Sequence, residues 1–326
     1  MLEREAPALL KNIPPEFARP PTIATVMSLR MITAFMHVPN DTLAKIDREL
    51  AALPVTAADG VTRCARYDDE RPDIRVPKGR PRLLVFEKIS GFRDSPSVEA
   101  ANTALRDMAA RHGWALVVTD KAGAMTPSIL RKFDAVIWNN VSGDVLTLSQ
   151  RQVFKSYIER GGGFVGVHGS GGDPVYYWDW YADTLIGARF AGHPMNPQFQ
   201  DARVVIEDDQ SAIVRNLAPG WTMKDEWYSF RSNPRTGGAR VLAALDEASY
   251  SLKGMAGEDL HMGDHPIAWT KCIGNGRSFY SAIGHRPESY SEPHYVKLLE
   301  QGITWAAGVG ETHCRDGTEV GPASGR

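Results

Sequence analysis

From residue 82 onward, short apolar runs alternate with segments that have the features of helices, which restricts the chain to few folds. One helix begins at Ser95 as N-cap and is closed by Gly113, and another begins at Thr147 with Gln150 in the capping-box position. Strands and helices in this order form a parallel sheet that is covered by helices on both faces. The predicted buried strands are residues 82–87, 114–119, 133–138 and 164–168.

The second half of the chain is richer in short β-like runs, at 202–206, 239–242, 267–269 and 277–280. These runs are predicted either to extend the sheet or to form a β-rich excursion from it. A closing amphipathic helix is predicted over residues 287–308. The main domain is therefore expected to span residues 81–310, and the tail at 311–326 is expected to be polar and frayed.

Residues 1–80 differ from the rest and are predicted to form an N-terminal helical arm. Pro14-Pro15 and Pro20-Pro21 interrupt its start, and residues 57–81 resemble a polar linker or surface segment. A helix is predicted behind an Asp41 cap, with its apolar face formed by Leu43, Ile46, Leu50 and Leu53. The arm is expected to pack on the main domain or on a second subunit, so a homo-oligomer is one possible assembly.

Charge and hydropathy exclude several classes of protein. Lysine and arginine number 37 against 39 acidic residues, so the net charge of −2 provides no strong field for nucleic acid or an anionic membrane. The apolar stretch 23–38 is interrupted by polar residues and is shorter than the ~20 residues that cross a bilayer. The start also lacks the features of a secretory signal. We therefore expect a soluble, cytoplasmic protein with neither a nucleic-acid nor a membrane partner.

The cysteines Cys64, Cys272 and Cys314 are odd in number and far apart. This arrangement predicts neither a disulfide scaffold nor a CxxC metal site. It favours a reducing compartment.

The segment 161–172, GGGFVGVHGSGG, is the most informative stretch for function. A buried strand leads into His168, and the flanking glycines suit a sharp turn that presents one side chain at the strand end. Ligands of parallel sheets gather at such ends, which selects the loops 88–95, 139–144 and 168–173. Near neutral pH, His168 can act as base, acid or metal ligand, whereas the alternative is a capping or packing role.

Three further histidines, His193, His265 and His285, lie beside Gly or Pro at strand–loop junctions. Each alone is more often structural, but their shared context favours a common polar pocket with His168. Asp225 and Glu226 lie next to Trp227 and Tyr228, and only one of two adjacent carboxylates on a strand can face a pocket. Glu226 is predicted to be that carboxylate.

A divalent metal is possible, although no HExxH motif or equally close spacing occurs. Its ligands would have to come from distant loops, and the candidates are His168, His193 and His285. The metal itself, if there is one, is not specified by the sequence.

Seven motifs together resemble the ThuA-like (trehalose utilisation) family over residues 82–308. They are residues 85–93 (VFEKISGFR), 139–146 (NNVSGDVL), 161–168 (GGGFVGVH), 187–194 (GARFAGHP), 225–228 (DEWY), 264–269 (DHPIAW) and 284–285 (GH). The resemblance implies a flavodoxin-like fold of the class I glutamine amidotransferase-like type. His168 stands where an amidotransferase would have its cysteine nucleophile, so a cysteine-dependent glutaminase is not expected.

The resemblance also implies a role in sugar catabolism, in particular on sugars oxidised at C3 of a glucosyl ring. The implied site residues are His168, His193, Asp225, Glu226, Tyr228, His265 and His285. In the first loop, Asp94 replaces a histidine that many relatives have, which is expected to alter substrate or metal affinity.

Two classes of function remain open from the sequence. The first is an enzyme that cleaves or rearranges a 3-keto-glycoside or 3-keto-disaccharide by hydrolysis or elimination. His168 would be the base, and His193, His285 and Glu226 would serve as acid, electrophile or ligands. Substrate would be bound by Arg93, Asn140, Asp225, Tyr228 and His265. The second is a non-catalytic sugar-binding or accessory protein on the same scaffold.

Overall fold

The computed structural model describes residues 2–5, 7, 38–54, 70–174, 176–207, 211–255, 257–310 and 313–320. Its α-helices are Leu2–Glu5, Asn40–Ala51, Ser95–His112, Pro127–Leu130, Leu148–Glu159 and Pro293–Ala306. Its strands are β1 (Arg82–Phe86), β2 (Ala115–Thr119), β3 (Ala135–Asn139), β4 (Gly163–Val167), β5 (Phe190–Gly192), β6 (Phe199–Ile206), β7 (Gly220–Glu226), β8 (Ser229–Phe230), β9 (Arg240–Asp246), β10 (Pro266–Ile273), β11 (Gly276–Ser281), β12 (His313–Arg315) and β13 (Thr318–Val320).

Nine strands form one central sheet in the order β2-β1-β3-β4-β11-β10-β9-β6-β7. The first five strands run parallel to one another, whereas each neighbouring pair from β11 through β10, β9 and β6 to β7 is antiparallel. The predicted α/β class with a flavodoxin-like sheet flanked by helices is confirmed, and the parallel half of the sheet is the half that the strand–helix alternation predicted. Of the two alternatives for the β-rich region, the one in which it extends the sheet is correct.

The helix ends follow from local side-chain chemistry. Gly113 closes its helix in the left-handed conformation with φ 66°, and Thr147 and Gln150 form the predicted capping box. Ser95 is not the cap of the first helix, because the Asp94 carboxylate accepts the Ser97 amide at 3.1 Å. The predicted closing helix is split into a 3₁₀ turn, Pro287–Ser291, and the helix Pro293–Ala306.

The arm contains the predicted helix, at Asn40–Ala51, but its cap and its apolar face differ from the prediction. Asp41 is not the N-cap, because it already lies in the first turn of the helix. The N-cap is Pro39, and no side chain caps the helix. Leu43 and Ile46 are buried, whereas Leu50 and Leu53 are 43% and 60% exposed, so the apolar face is shorter than predicted. The proline pairs and most of the linker lie outside the described residues. Oligomerisation through the arm stays a prediction.

The C-terminal tail is not frayed over the residues that the structure describes. Residues 313–320 form a hairpin of β12 and β13, and Arg240 Nη1 lies 2.9 Å from the Glu319 carboxylate. Cys314 forms a disulfide with Cys272 of β10, with a Cα–Cα distance of 5.4 Å. This bond corrects the expectation from cysteine spacing, because residues far apart in sequence become neighbours once the tail folds back. The cysteines therefore no longer favour a reducing compartment.

Replacing Cys272 by Ser is expected to lower the free energy of unfolding by about 4 kcal/mol. The bond joins residues with a sequence separation of 42. In the chain-entropy model, a crosslink of that length lowers the conformational entropy of the unfolded chain by an amount equivalent to about 4 kcal/mol. Urea unfolding of the variant and of Cys64→Ser, under oxidising conditions, measures the difference. Equal midpoints for wild type and Cys272→Ser would contradict the prediction.

No helix among the described residues is long and apolar enough to span a bilayer.

Candidate functional site

The turn after β4 presents His168 at the carboxyl end of the parallel strands, as predicted. His168 has φ 36°, in the left-handed region, and begins the 3₁₀ turn His168–Gly171. The Tyr280 hydroxyl donates to the His168 carbonyl at 2.9 Å and fixes this turn from the neighbouring strand. A Cβ at Gly171 would lie 2.4 Å from that hydroxyl, so this close approach requires glycine.

Glu226, the last residue of β7, is the carboxylate around which three imidazoles meet. Its Oε2 lies 3.3 Å from His168 Nε2 and 3.0 Å from His285 Nδ1, and its Oε1 lies 3.3 Å from His193 Nδ1. The side chains of Glu226 and His168 are 2% and 3% exposed, whereas those of His285 and His193 are 12% and 23% exposed. The cluster is therefore open to solvent from the side of His193 and His285.

The orientation of the His168 ring is set from two sides. Its Nδ1 lies 2.7 Å from the Ala282 carbonyl, which can only accept, so Nδ1 carries the proton and donates. The Tyr228 ring stacks on the imidazole at a centroid distance of 4.2 Å. In the neutral ring, the lone pair of Nε2 therefore points toward Glu226 and His285.

Glu226 and His285 form the ion pair of the cluster. Burial alone would raise the pKa of Glu226, but hydrogen bonds from His168 and His285 and the nearby imidazoles bring it well below its usual value. Burial would lower the pKa of His285, but the hydrogen bond and charge of Glu226 outweigh it and raise this pKa. An ionised Glu226 therefore faces an imidazole that retains its proton more strongly than usual.

Asp225, one residue earlier on β7, points away from the imidazoles and holds the loop after β11. Its Oδ1 accepts the amides of His285 and Arg286, each at 3.1 Å. Its Oδ2 accepts the Gly284 amide and the Ser289 hydroxyl, each at 2.8 Å. Complete burial raises the pKa of Asp225, although these donors and His168 oppose the shift. The prediction that Glu226, and not Asp225, faces the histidines agrees with this geometry.

The family model described as trehalose utilisation (ThuA) matches residues 82–306. The chain belongs to the ThuA family. This membership associates it with a carbohydrate-related role. No curated protein matches the chain.

Solved structures of two ThuA-like proteins resemble this ThuA family member in fold. One, from Bacteroides uniformis, is 23% identical with a TM-score of 0.60, and the match covers 73% of this chain and 95% of that one. The other, from Parabacteroides merdae, is 18% identical with a TM-score of 0.52, and the match covers 70% of this chain and 90% of that one.

His265 is the one predicted histidine that this ThuA family member does not bring to the cluster. Its ring is fully buried between two acceptors, the Glu247 carboxylate at 2.8 Å from Nδ1 and the Tyr228 carbonyl at 2.9 Å from Nε2. The Gly/Pro context that suggested a shared pocket instead reflects a histidine that ties two loops together. Among the described hydrogen bonds, His265 is linked to the site through the backbone carbonyl of Tyr228.

The two residues that were predicted to bind substrate from the first two loops occupy different environments. Arg93 is exposed, and its Nε donates to the Ser95 hydroxyl at 3.3 Å. Asn140 is buried with φ 54°, and its Oδ1 accepts the Gly169 amide at 3.0 Å. Asn140 therefore supports the turn that presents His168. Asp94, which replaces a family histidine, caps a helix and does not contact the imidazoles in any described hydrogen bond.

Sequence reasoning missed three side chains at the cluster. Gln198 Nε2 donates to Glu226 Oε1, and no motif marked this residue. The rings of Phe92 and Phe199 lie 6.2 and 5.2 Å from the His285 ring, and Phe92 is 45% exposed. Phe92 lies within the first family motif, so the motif itself was the available signal.

Two surface hollows lie away from this cluster. Their volumes are about 520 and 620 Å³, they lie at the amino ends of β3 and its parallel neighbours, and Asp134 lines both. Neither is lined by His168, Glu226 or His285, the His/Glu group among the described residues that could hold a metal. Because ligands of such sheets bind at the carboxyl ends of the strands, we take the cluster as the site.

Asp173, at the end of the His168 loop, is expected to make stability fall as pH rises. Burial raises the pKa of Asp173 to about 7, although the hydrogen bond from the Gly143 amide opposes the shift. Between about pH 4 and 7 the carboxyl ionises in the unfolded chain but remains protonated in the folded protein. The free energy of unfolding therefore falls by about 4 kcal/mol over this range. Asp173→Asn should remove this slope from urea unfolding at pH 4–8, whereas the exposed Asp201→Asn should retain it. An unchanged slope in Asp173→Asn would refute the assignment.

Proposed function

We propose that this ThuA family member cleaves 3-keto-glycosides or 3-keto-disaccharides by acid–base elimination. The observation that supports the proposal is the meeting of three imidazoles on one buried carboxylate, Glu226, at the edge where such folds bind ligands. One imidazole lies within hydrogen-bond distance of an ionised carboxylate and another is more exposed. This combination provides both an acid and a base near neutral pH.

The C3 ketone of such a substrate makes the hydrogen on C2 acidic. A base removes that proton, and the electron pair forms an enolate whose oxygen is the former ketone oxygen. The enolate re-forms the ketone as a C1–C2 double bond forms and the anomeric C1–O bond breaks. An acid protonates the departing oxygen, and addition of water across the double bond, OH to C1 and H to C2, completes a net hydrolysis.

We assign proton abstraction to His193 because its side chain is the most exposed of the three, at 23%. The sequence-based expectation gave this role to His168, whose 3% exposed ring instead faces Glu226 and His285. His285 is assigned as the acid, since Glu226 raises its pKa and no described residue hydrogen-bonds its Nε2. Its Nε2–H is free to donate to the leaving oxygen.

Two aromatic rings next to His285 provide apolar surface against which a sugar ring can pack. Phe92 and Phe199 both lie near the His285 ring. Arg93 is exposed on the same loop as Phe92, and we retain it as a substrate-binding residue for the enolate oxygen. The absence of nucleic-acid and membrane partners is part of the same proposal and is supported by the net charge of −2. A cytoplasmic location is proposed from the sequence alone, and the Cys272–Cys314 bond does not favour it.

The test uses p-nitrophenyl 3-keto-glucoside and 3-ketotrehalose, with the unoxidised glucoside as control. We expect release of nitrophenol or 3-keto-glucose from the ketones alone, and exchange of the C2 hydrogen in D₂O that His193→Ala lowers by about 10²- to 10⁴-fold. Neither exchange nor release, with or without added divalent metals, would refute the proposal. Saturable binding of the keto-sugar without turnover would favour the non-catalytic sugar-binding alternative.

A further inference from the structure

Three potential ligand atoms from three separate segments converge near the carboxyl ends of the strands. His168 Nε2, His285 Nδ1 and Glu226 Oε2 lie within 3.0 to 3.3 Å of one another. We propose that these three atoms bind one divalent transition-metal ion, with further coordination positions left for water or substrate. The proposal does not depend on the sugar chemistry above.

The spacing of the three atoms matches the edges of a coordination polyhedron. A metal ~2.1 Å from two ligand atoms holds them about 3.0 Å apart at a right angle and about 3.4 Å apart at a tetrahedral angle. The measured separations are 3.0, 3.2 and 3.3 Å. A triangle with these sides has a circumradius of about 1.8 Å, so a point ~2.1 Å from all three atoms exists without any movement of the side chains.

Hydrogen bonding alone does not satisfy the three atoms when both rings are neutral. His168 donates from Nδ1 to the Ala282 carbonyl, so its Nε2 has a lone pair and no proton to share. One proton on His285 Nδ1 can then serve Glu226, but the 3.3 Å contact between His168 Nε2 and Glu226 Oε2 joins two acceptors. With both rings neutral, a cation between the three atoms would satisfy every one of these contacts.

Neighbouring groups hold each of the three proposed ligands in place by hydrogen bonds, as is usual in metal sites. The backbone carbonyl on Nδ1 of His168 fixes the tautomer that leaves Nε2 free for a metal. Glu226 uses its other oxygen, Oε1, to accept from Gln198 and to face His193, which leaves Oε2 for the ion. Asp225 fixes the backbone of His285.

The donor set indicates the class of metal. Two imidazole nitrogens and one carboxylate oxygen suit Zn²⁺, Mn²⁺, Fe²⁺ or Co²⁺, whereas Mg²⁺ and Ca²⁺ prefer oxygen ligands. Three protein ligands leave coordination positions open, which is the arrangement of catalytic rather than structural sites. The Nε2–H of His285 stays available on the side away from the ion.

The test is titration of the full-length, chelator-stripped protein with Zn²⁺, Mn²⁺ or Co²⁺, with Mg²⁺ for comparison. We expect one equivalent to bind with micromolar or tighter affinity, at least 100-fold more tightly than Mg²⁺, and bound Co²⁺ to develop visible d–d absorption. Glu226→Gln and His285→Ala should each weaken binding at least 100-fold. Gln198→Ala should weaken it about 10- to 100-fold through the position of Glu226. His261→Ala, an exposed histidine paired with Asp259, is the matched control and should bind as wild type does.

Absence of a stoichiometric site in the wild type, or equal affinity in wild type and in a folded Glu226→Gln protein, would overturn the proposal. Circular dichroism and thermal unfolding of each variant establish that it is folded. If His285→Ala does not fold, Glu226→Gln decides, because it retains the size and shape of the side chain. Metal binding without turnover of keto-sugars would reject the proposed function alone, and turnover by metal-free protein that binds no metal would reject this inference alone.

Discussion

Glu226→Gln is expected to lower kcat for a 3-keto-glycoside by about 10³-fold. The substitution keeps the shape of the side chain but removes the charge that raises the pKa of His285. A smaller fraction of His285 would then carry the proton that the leaving oxygen needs near neutral pH. The carboxylate opposite His193 and His168 would also be lost.

Steady-state kinetics with the nitrophenyl substrate measure this loss, and His261→Ala serves as the control with an unaltered site. A loss confined to kcat would indicate an interaction that acts mainly in the transition state, whereas a rise in KM alone would indicate uniform binding. If Glu226→Gln retains turnover within threefold of the wild type, Glu226 is not part of the catalytic machinery.

Asp225→Ala is expected to lower the free energy of unfolding by about 3–5 kcal/mol. The substitution would remove the acceptor for three amides of the loop after β11, at Gly284, His285 and Arg286, and for the Ser289 hydroxyl. Buried donors without a partner are costly, and the resulting cavity adds to the loss. Because this loop positions the His285 ring, activity should fall with stability.

A matched pair of variants separates hydrogen bonding from side-chain volume. Asp225→Asn retains Oδ1 for His285 and Arg286 but loses the acceptor for Gly284, so we expect a smaller loss of about 1–2 kcal/mol. Lys224→Ala, on the same strand but exposed, should change the free energy of unfolding by less than about 0.5 kcal/mol. Urea unfolding of the three proteins measures these differences. Equal losses for Asp225→Ala and Lys224→Ala would show that the loop does not depend on this carboxylate.

The parallel half of the fold and the turn at His168 could be predicted because their signals are local. Apolar runs, caps and the left-handed Gly113 each depend on a few neighbouring residues. The glycines around His168 identified a strand end, and the order of strands and helices placed that end at the ligand-binding edge. His193 and His285 showed the same local context and did join His168.

Long-range contacts could not be predicted by the same means. β7 is the edge strand and lies five strand spacings from β4, so a flat sheet would separate Glu226 from His168 by roughly 24 Å. The observed 3.3 Å requires the antiparallel half to twist and curve back across the strand ends. The same limitation explains the Cys272–Cys314 bond and His265, because each depends on which distant segment folds against it.

The last two residues of β7 show how a strand of this kind constrains later change. Asp225 holds the loop and Glu226 meets the imidazoles because successive side chains point to opposite faces. Thr222 and Lys224 are exposed and should accept many replacements. Deleting or inserting one residue before Asp225 would exchange the faces on which the two carboxylates lie. Natural variation in β7 should therefore change the identity of the exposed residues and preserve the length of the strand.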